Sequence, residues 1–128
     1  MNDFLRTRVL AFRYAFAGWA HVVRTQRNAW VHAAASVTVL LVAAPLGLTR
    51  QEWAILLLTI TIVWLAEFLN TAIEAVVDLA SPQYHELARI SKDVGAAAVL
   101  ISALGAVLIG LLLLGPPLWR SLQALLFP

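Results

Sequence analysis

Glu67, Asn70, Glu74 and Asp78 recur at intervals of three and four residues in an otherwise apolar stretch. At about 100° per residue, Asn70 lies at about −60° from Glu67, Glu74 at about −20° and Asp78 at about +20°. One helix face therefore carries a column of oxygen ligands. The opposite face, with Leu65, Phe68, Leu69, Ala72, Ile73 and Val76, is apolar. A charged group in mid-membrane costs about 2.5–3.5 kcal/mol or more. Three of the chain's seven acidic residues in one such column therefore call for a reason.

Three reasons fit the spacing. The carboxylates can hold Mg²⁺, whose ligands are oxygens and which commonly arrives with phosphates. They can serve as proton or cation ligands in a non-enzymatic small membrane protein, such as a transporter subunit. They can also be structural, protonated and hydrogen-bonded between helices. No cluster of basic residues lies near the column in sequence, so a bound cation is the natural counter-charge. Lys92-Asp93 falls at the same membrane level, and a lysine there can meet a phosphate as a point charge. Carboxylate, metal and lysine are the parts that phosphoryl transfer needs, because its catalysis is mostly positioning and charge neutralisation.

The elements that must position these groups follow from composition. The chain has 128 residues, 62% hydrophobic and 12% charged, against about a quarter charged in soluble domains. That much apolar surface requires lipid as a second solvent, and a single membrane domain over residues 1–128 is expected. The net charge of +2 is too small for a nucleic-acid module. The absence of cysteine excludes disulfides and thiol chemistry. No P-loop or glycine-rich phosphate fingerprint occurs. The N-terminal segment lacks the short apolar core and cleavage site of a signal peptide, so it is expected to be retained.

The expected fold is an all-α membrane protein, with an N-terminal amphipathic surface helix followed by three transmembrane helices. The surface helix is expected over residues 4–28. Leu5, Val9, Phe12, Phe16, Trp19 and Val23 share one face, with Arg6, Arg13 and Arg24 on a separate stripe. The spans are expected at about 29–48, 53–79 and 94–114. A short turn, Thr49-Arg50-Gln51-Glu52, joins the first two. A polar loop over 80–92 follows, and Gly115-Pro116-Pro117 ends the third span ahead of an interfacial tail. His21 and His32 read as interfacial anchors, and Trp19, Trp30, Trp53 and Trp119 as boundary aromatics. Arg6, Arg8, Arg13, Arg24, Arg27, Arg89 and Lys92 fall on one side of this topology, against Arg50 and Arg120 on the other. The N-terminus and the 80–92 loop are thus expected in the cytoplasm and the C-terminus outside.

The run Glu67-Phe-Leu-Asn-Thr-Ala-Ile-Glu74-Ala-Val-Val-Asp78 resembles the signature of the prokaryotic diacylglycerol kinase and undecaprenol kinase family. Lys92-Asp93-Val-Gly-Ala-Ala-Ala-Val99 resembles its second block, and the similarity covers about residues 8–112. The resemblance implies phosphorylation of a membrane lipid hydroxyl by Mg-ATP, in the bacterial inner membrane. It also implies a homotrimer with active sites between subunits at the cytoplasmic interface. Glu67 would be the general base, Asn70 would orient the substrate hydroxyl, and Glu74 would bind Mg²⁺. Tyr14, Gly18, Asp78, Tyr84, His85, Glu86, Lys92 and Asp93 would lie at the nucleotide. Gln26 stands where the family often has glutamate as a second metal ligand, and its neutral amide is a weaker one. Gln26-Arg27-Asn28 with His32 resembles the undecaprenol kinase branch. Tyr84-His85-Glu86-Leu87 and Gly95-Ala-Ala-Ala-Val resemble the diacylglycerol kinase branch. Both lipid alcohols remain open as substrate.

Overall fold

The computed structural model describes residues 2–127. Four helices follow one another: α1 (Asp3–Thr25), α2 (Arg27–Ala43), α3 (Arg50–Ala80) and α4 (Glu86–Leu126). A single 3₁₀ turn, Ala44–Leu46, extends α2, and the described residues contain no strand. Three helical stretches, Arg27–Leu46, Arg50–Ala80 and Glu86–Leu126, are long and apolar enough to cross a membrane. The all-α plan of one amphipathic helix and three spans stands. Its boundaries differ in four places, each with a local cause.

The first difference lies between α1 and α2. The surface helix ends at Thr25, not 28, because Gln26 is extended, at φ −97° and ψ 118°. Its N–H still closes α1 by donating to the Val22 carbonyl at 2.9 Å. Gln26 also precedes the first turn of α2. Glutamine is a good helix former, so the apolar periodicity runs across this joint without a signal. Phe4, Phe12 and Phe16 remain exposed on α1, and only Val22 is buried. That is the arrangement of a helix whose rings face acyl chains rather than a protein core.

The second difference is at the far turn. Gly47 adopts φ 66°, a conformation that favours glycine. Thr49 then caps α3, so the helix starts at Arg50 rather than near Trp53. The Glu52 N–H donates to Thr49 Oγ1 at 3.3 Å, and the Thr49 N–H donates to the Glu52 carboxylate at 2.7 Å. This reciprocal box satisfies two donors that a helix start leaves open. Leu56 of α3, Ala43 of α2 and Leu114 of α4 form the buried core at this end, with Trp53 and Leu46 packed around it.

The third and fourth differences concern α4. The 80–92 loop contracts to residues 81–85, because His85 caps the new helix: the Leu87 N–H donates to His85 Nδ1 at 3.2 Å. At the other end, α4 continues through Pro116 and Pro117 to Leu126 instead of stopping at Gly115. Proline has a helical φ but no N–H to donate, so each one removes a helical hydrogen bond. Burial of Leu114 and Pro117 accompanies this loss. At 1.5 Å per residue α4 is about 60 Å long, twice the hydrocarbon thickness. Its polar first two turns therefore stand clear of the apolar segment. Helices α3 and α4 form the most extensive packing pair, and it is this pair that frames the acidic column.

Candidate active site

The column on α3 is graded from buried to exposed. Glu67 is only 1% exposed, Asn70 is buried, Glu74 is half-buried and Asp78 is exposed. A single chain thus encloses the deep half of the column. Helix α2 covers one side, where His32 Nε2 faces Glu67 Oε2 at 3.7 Å. Helix α4 covers the other, where Gly95 is buried against Asn70. A Cβ on Gly95 would overlap Asn70 Oδ1, so the absent side chain is what lets the two helices approach here.

Glu74 is the junction of the site. Its Oε1 accepts a hydrogen bond from Asn70 Nδ2 at 3.2 Å, one helical turn away. Its Oε2 accepts one from Gln26 Nε2 at 3.4 Å, across 48 positions of sequence. The break between α1 and α2 is what brings Gln26 to this point. A half-turn of the Gln26 amide would exchange its nitrogen for its oxygen and present a second hard ligand beside the carboxylate. That donor set suits Mg²⁺, which takes one or two carboxylates and completes its shell with water and phosphate oxygens. Among the described residues no group of three His, Asp or Glu side chains converges as a complete metal cage.

Beyond Glu74 the charges are exposed and paired. Lys92 Nζ meets Asp78 Oδ1 at 2.6 Å, which joins the start of α4 to the end of the column. Arg89 bridges Glu86 and Asp93, at 2.6 Å to each. The Tyr84 hydroxyl donates to Glu86 at 2.7 Å. Hydrogen bonds from Arg89 and then Tyr84 hold the Glu86 carboxyl below the usual carboxylate range, outside the apolar segment. The column therefore has basic neighbours after all, supplied by other helices: His32 at its deep end and Lys92 at its outer end.

Several residues singled out by sequence take up different places. Asn70, Glu74 and Gln26 are joined by hydrogen bonds, Glu67 faces His32, and Asp78 joins Lys92. Tyr84, Glu86 and Asp93 form a second, exposed group through Arg89. His85 is a helix cap. Tyr14 is exposed on α1, and Gly18 lines an apolar groove between α1 and α3, with Trp19, Val22, Phe68 and Thr71. Neither makes a hydrogen bond to the column. Trp19 is not simply a boundary aromatic, since it stacks on Trp64 of α3 at 6.1 Å.

Three features of the candidate site were missed in the sequence. His32 lies inside the site rather than at an interface. Gly95 seats Asn70, and Arg89 organises the outer carboxylates. Only Arg89 carried a local signal, its spacing of three and four residues from Glu86 and Asp93. Three buried side-chain atoms, His32 Nε2, Glu67 Oε2 and Asn70 Oδ1, have no hydrogen-bond partner in the chain. Each such group costs about 1–3 kcal/mol. Their concentration at one place makes it the candidate ligand site of the chain.

Comparison with known proteins converges on one family. A family model described as prokaryotic diacylglycerol kinase matches residues 13–114. A diacylglycerol kinase of Synechocystis is 48% identical over 111 residues, covering 86% of this chain and 63% of that protein. An undecaprenol kinase of Bacillus subtilis is 41% identical over 118 residues, covering 92% of this chain and 93% of that protein. A diacylglycerol kinase of Escherichia coli is 41% identical over 95 residues, covering 69% and 78%. The aligned part of this chain thus corresponds to just under two thirds of the Synechocystis protein and to nearly all of the Bacillus one.

Proposed function

The chain belongs to the prokaryotic diacylglycerol kinase family, and on that premise we propose that it transfers the γ-phosphoryl group of ATP to the hydroxyl of a membrane lipid alcohol. The observation that carries the reading is Glu67. It is a carboxylate almost wholly withdrawn from solvent, aligned on one face with groups suited to a metal-bound phosphate chain. Family membership favours this reading over a non-enzymatic cation-binding protein.

Glu67 takes the proton of the lipid hydroxyl as that oxygen attacks the γ-phosphorus. The bond from phosphorus to the β–γ bridging oxygen breaks, and ADP leaves with that oxygen. Asn70 orients the hydroxyl, held in place by Gly95 behind it and by its bond to Glu74. Glu74 and Gln26 would hold Mg²⁺, which would supply charge neutralisation for the phosphate oxygens. Lys92 exchanges Asp78 for a phosphate oxygen. Such an exposed pair is screened by solvent and individually weak, so little opposes the exchange. Tyr84, Glu86 and Asp93 lie at the nucleotide's outer side, and Tyr14 and Gly18 on α1 are assigned to the same ligand. His85 supports this group by starting α4 at the right residue.

The site lies at the cytoplasmic face of a bacterial inner membrane, with the N-terminus inside and the C-terminus outside. The arginine and lysine distribution supports this orientation. The chain acts as one domain within a homotrimer. The many exposed apolar side chains of α2 and α4, among them Val37, Leu104 and Leu111, offer surface for lipid and for neighbouring copies. Relatives named for diacylglycerol and for undecaprenol both align, so the substrate class is a lipid with a primary hydroxyl at the interface. The test is transfer of labelled phosphate from Mg-ATP to a panel holding diacylglycerol, undecaprenol and related lipid alcohols. A labelled phospholipid is expected, and no product from any of them would overturn the reading.

A further inference from the structure

We propose that His32 is a positioning residue for Glu67, fixing the carboxylate so that one oxygen stays free for the lipid hydroxyl. The inference rests on the lipid-kinase reading above. Its starting point is a pair of buried polar atoms from different helices that face each other. His32 Nε2 and Glu67 Oε2 are 3.7 Å apart, and neither has another hydrogen-bond partner in the chain. The His32 side chain is 12% exposed and the Glu67 side chain 1%. The gap is too narrow for a bridging water and only slightly longer than a hydrogen bond. A small rotation of either side chain closes it, with Nε2–H donating to Oε2.

The surroundings restrict what else the imidazole can do. Trp64 packs edge-to-face with His32, with ring centroids 6.4 Å apart and planes at 66°. Trp64 is held in turn by stacking on Trp19, by contact with Phe68 and by a hydrogen bond from its Nε1 to Ser36 Oγ at 3.2 Å. The Ser36 hydroxyl donates to the His32 carbonyl at 2.7 Å, tying this wall back to the residue it orients. The order of contacts is thus aromatic wall, imidazole, carboxylate. A base of this kind is commonly oriented by a third group that never touches the substrate. His32 can fill that place from α2, where it is the side chain that faces the Glu67 carboxylate across helices.

The experiment compares His32→Ala and His32→Gln with the unaltered protein, in detergent micelles or bilayers, using Mg-ATP and whichever lipid alcohol the unaltered protein phosphorylates. A Gln amide nitrogen reaches close to the position of imidazole Nε2 and restores the donor. His32→Ala is expected to lower kcat about tenfold or more while leaving KM for ATP and lipid within about twofold, since only orientation of the base is lost. His32→Gln is expected to recover most of the rate. Where the Ala variant is too unstable to purify, His32→Asn keeps a polar group but withdraws the donor, and takes its place. The proposal is overturned if kcat of the Ala or Asn variant stays within about twofold, if KM rises in step with the loss, or if Gln gives no recovery. No transfer by the unaltered protein overturns the kinase reading itself, a separate result.

Discussion

The two halves of the acidic column are built in opposite ways. At the deep half, Glu67 and Asn70 are buried, and each leaves an oxygen unsatisfied. At the outer end, Asp78 and the neighbouring α4 carboxylates Glu86 and Asp93 are exposed, and each is paired at 2.6 Å with a lysine or arginine. The outer pairs are screened, individually weak and readily traded for other anions. The deep groups cost stability and cannot be traded without a partner that fits. On the function proposed above, one end would catch the charged, soluble nucleotide, and the other would act on a neutral hydroxyl that arrives through lipid.

The comparison breaks first at Glu67. Replacing it with Gln keeps the shape and the burial but removes the proton acceptor, and turnover is expected to fall about 10²–10⁴-fold. Retained turnover would mean that the deep half does not hold the base. Gly95→Ala comes next. The added methyl pushes Asn70 from its seat and from Glu74, so kcat is expected to fall about tenfold with about 1 kcal/mol or more of lost stability, from overpacking. A normal rate with a normal melting temperature would show that Asn70 has room to move.

The outer half should respond in binding. Lys92→Ala is expected to raise KM for ATP about tenfold, the loss of one charge-assisted bond, with kcat at saturation much less affected. A loss confined to kcat would move Lys92 into the chemistry. The smallest effect is expected at the junction. Gln26→Glu puts a carboxylate 3.4 Å from Glu74, which favours a cation between them. The Mg²⁺ concentration giving half the maximal rate should fall by roughly a few-fold. No change would place the metal away from Gln26.

How much of this was legible in the sequence varies with how local the cause is. The column was legible because α3 is regular over 31 residues, so spacing alone sets which side chains share a face. The three spans were legible because lipid imposes long apolar runs. The break at Gln26 was not, because nothing in a glutamine marks an extended residue between two helices. The continuation of α4 through Pro116 and Pro117 was not either, since the local rule favours a stop and tertiary burial opposes it. His32 looked like an interfacial anchor because its position beside Glu67, 35 residues on, exists only once α2 packs on α3. Gly95 seats Asn70 for the same reason. The family resemblance named the ligands, but the packing shows which are sealed in and which are open.

The division between a deep end that reacts and an outer end that holds is tested most directly on one variant. ATP affinity and lipid phosphorylation would be measured side by side on Glu67→Gln, with the unaltered protein as reference. ATP affinity within about threefold of the reference, together with turnover lost by at least about a hundredfold, is the expected result. Parallel loss of ATP affinity and turnover would contradict the account, because Glu67 would then be part of the nucleotide's grip and not the group that takes the lipid's proton.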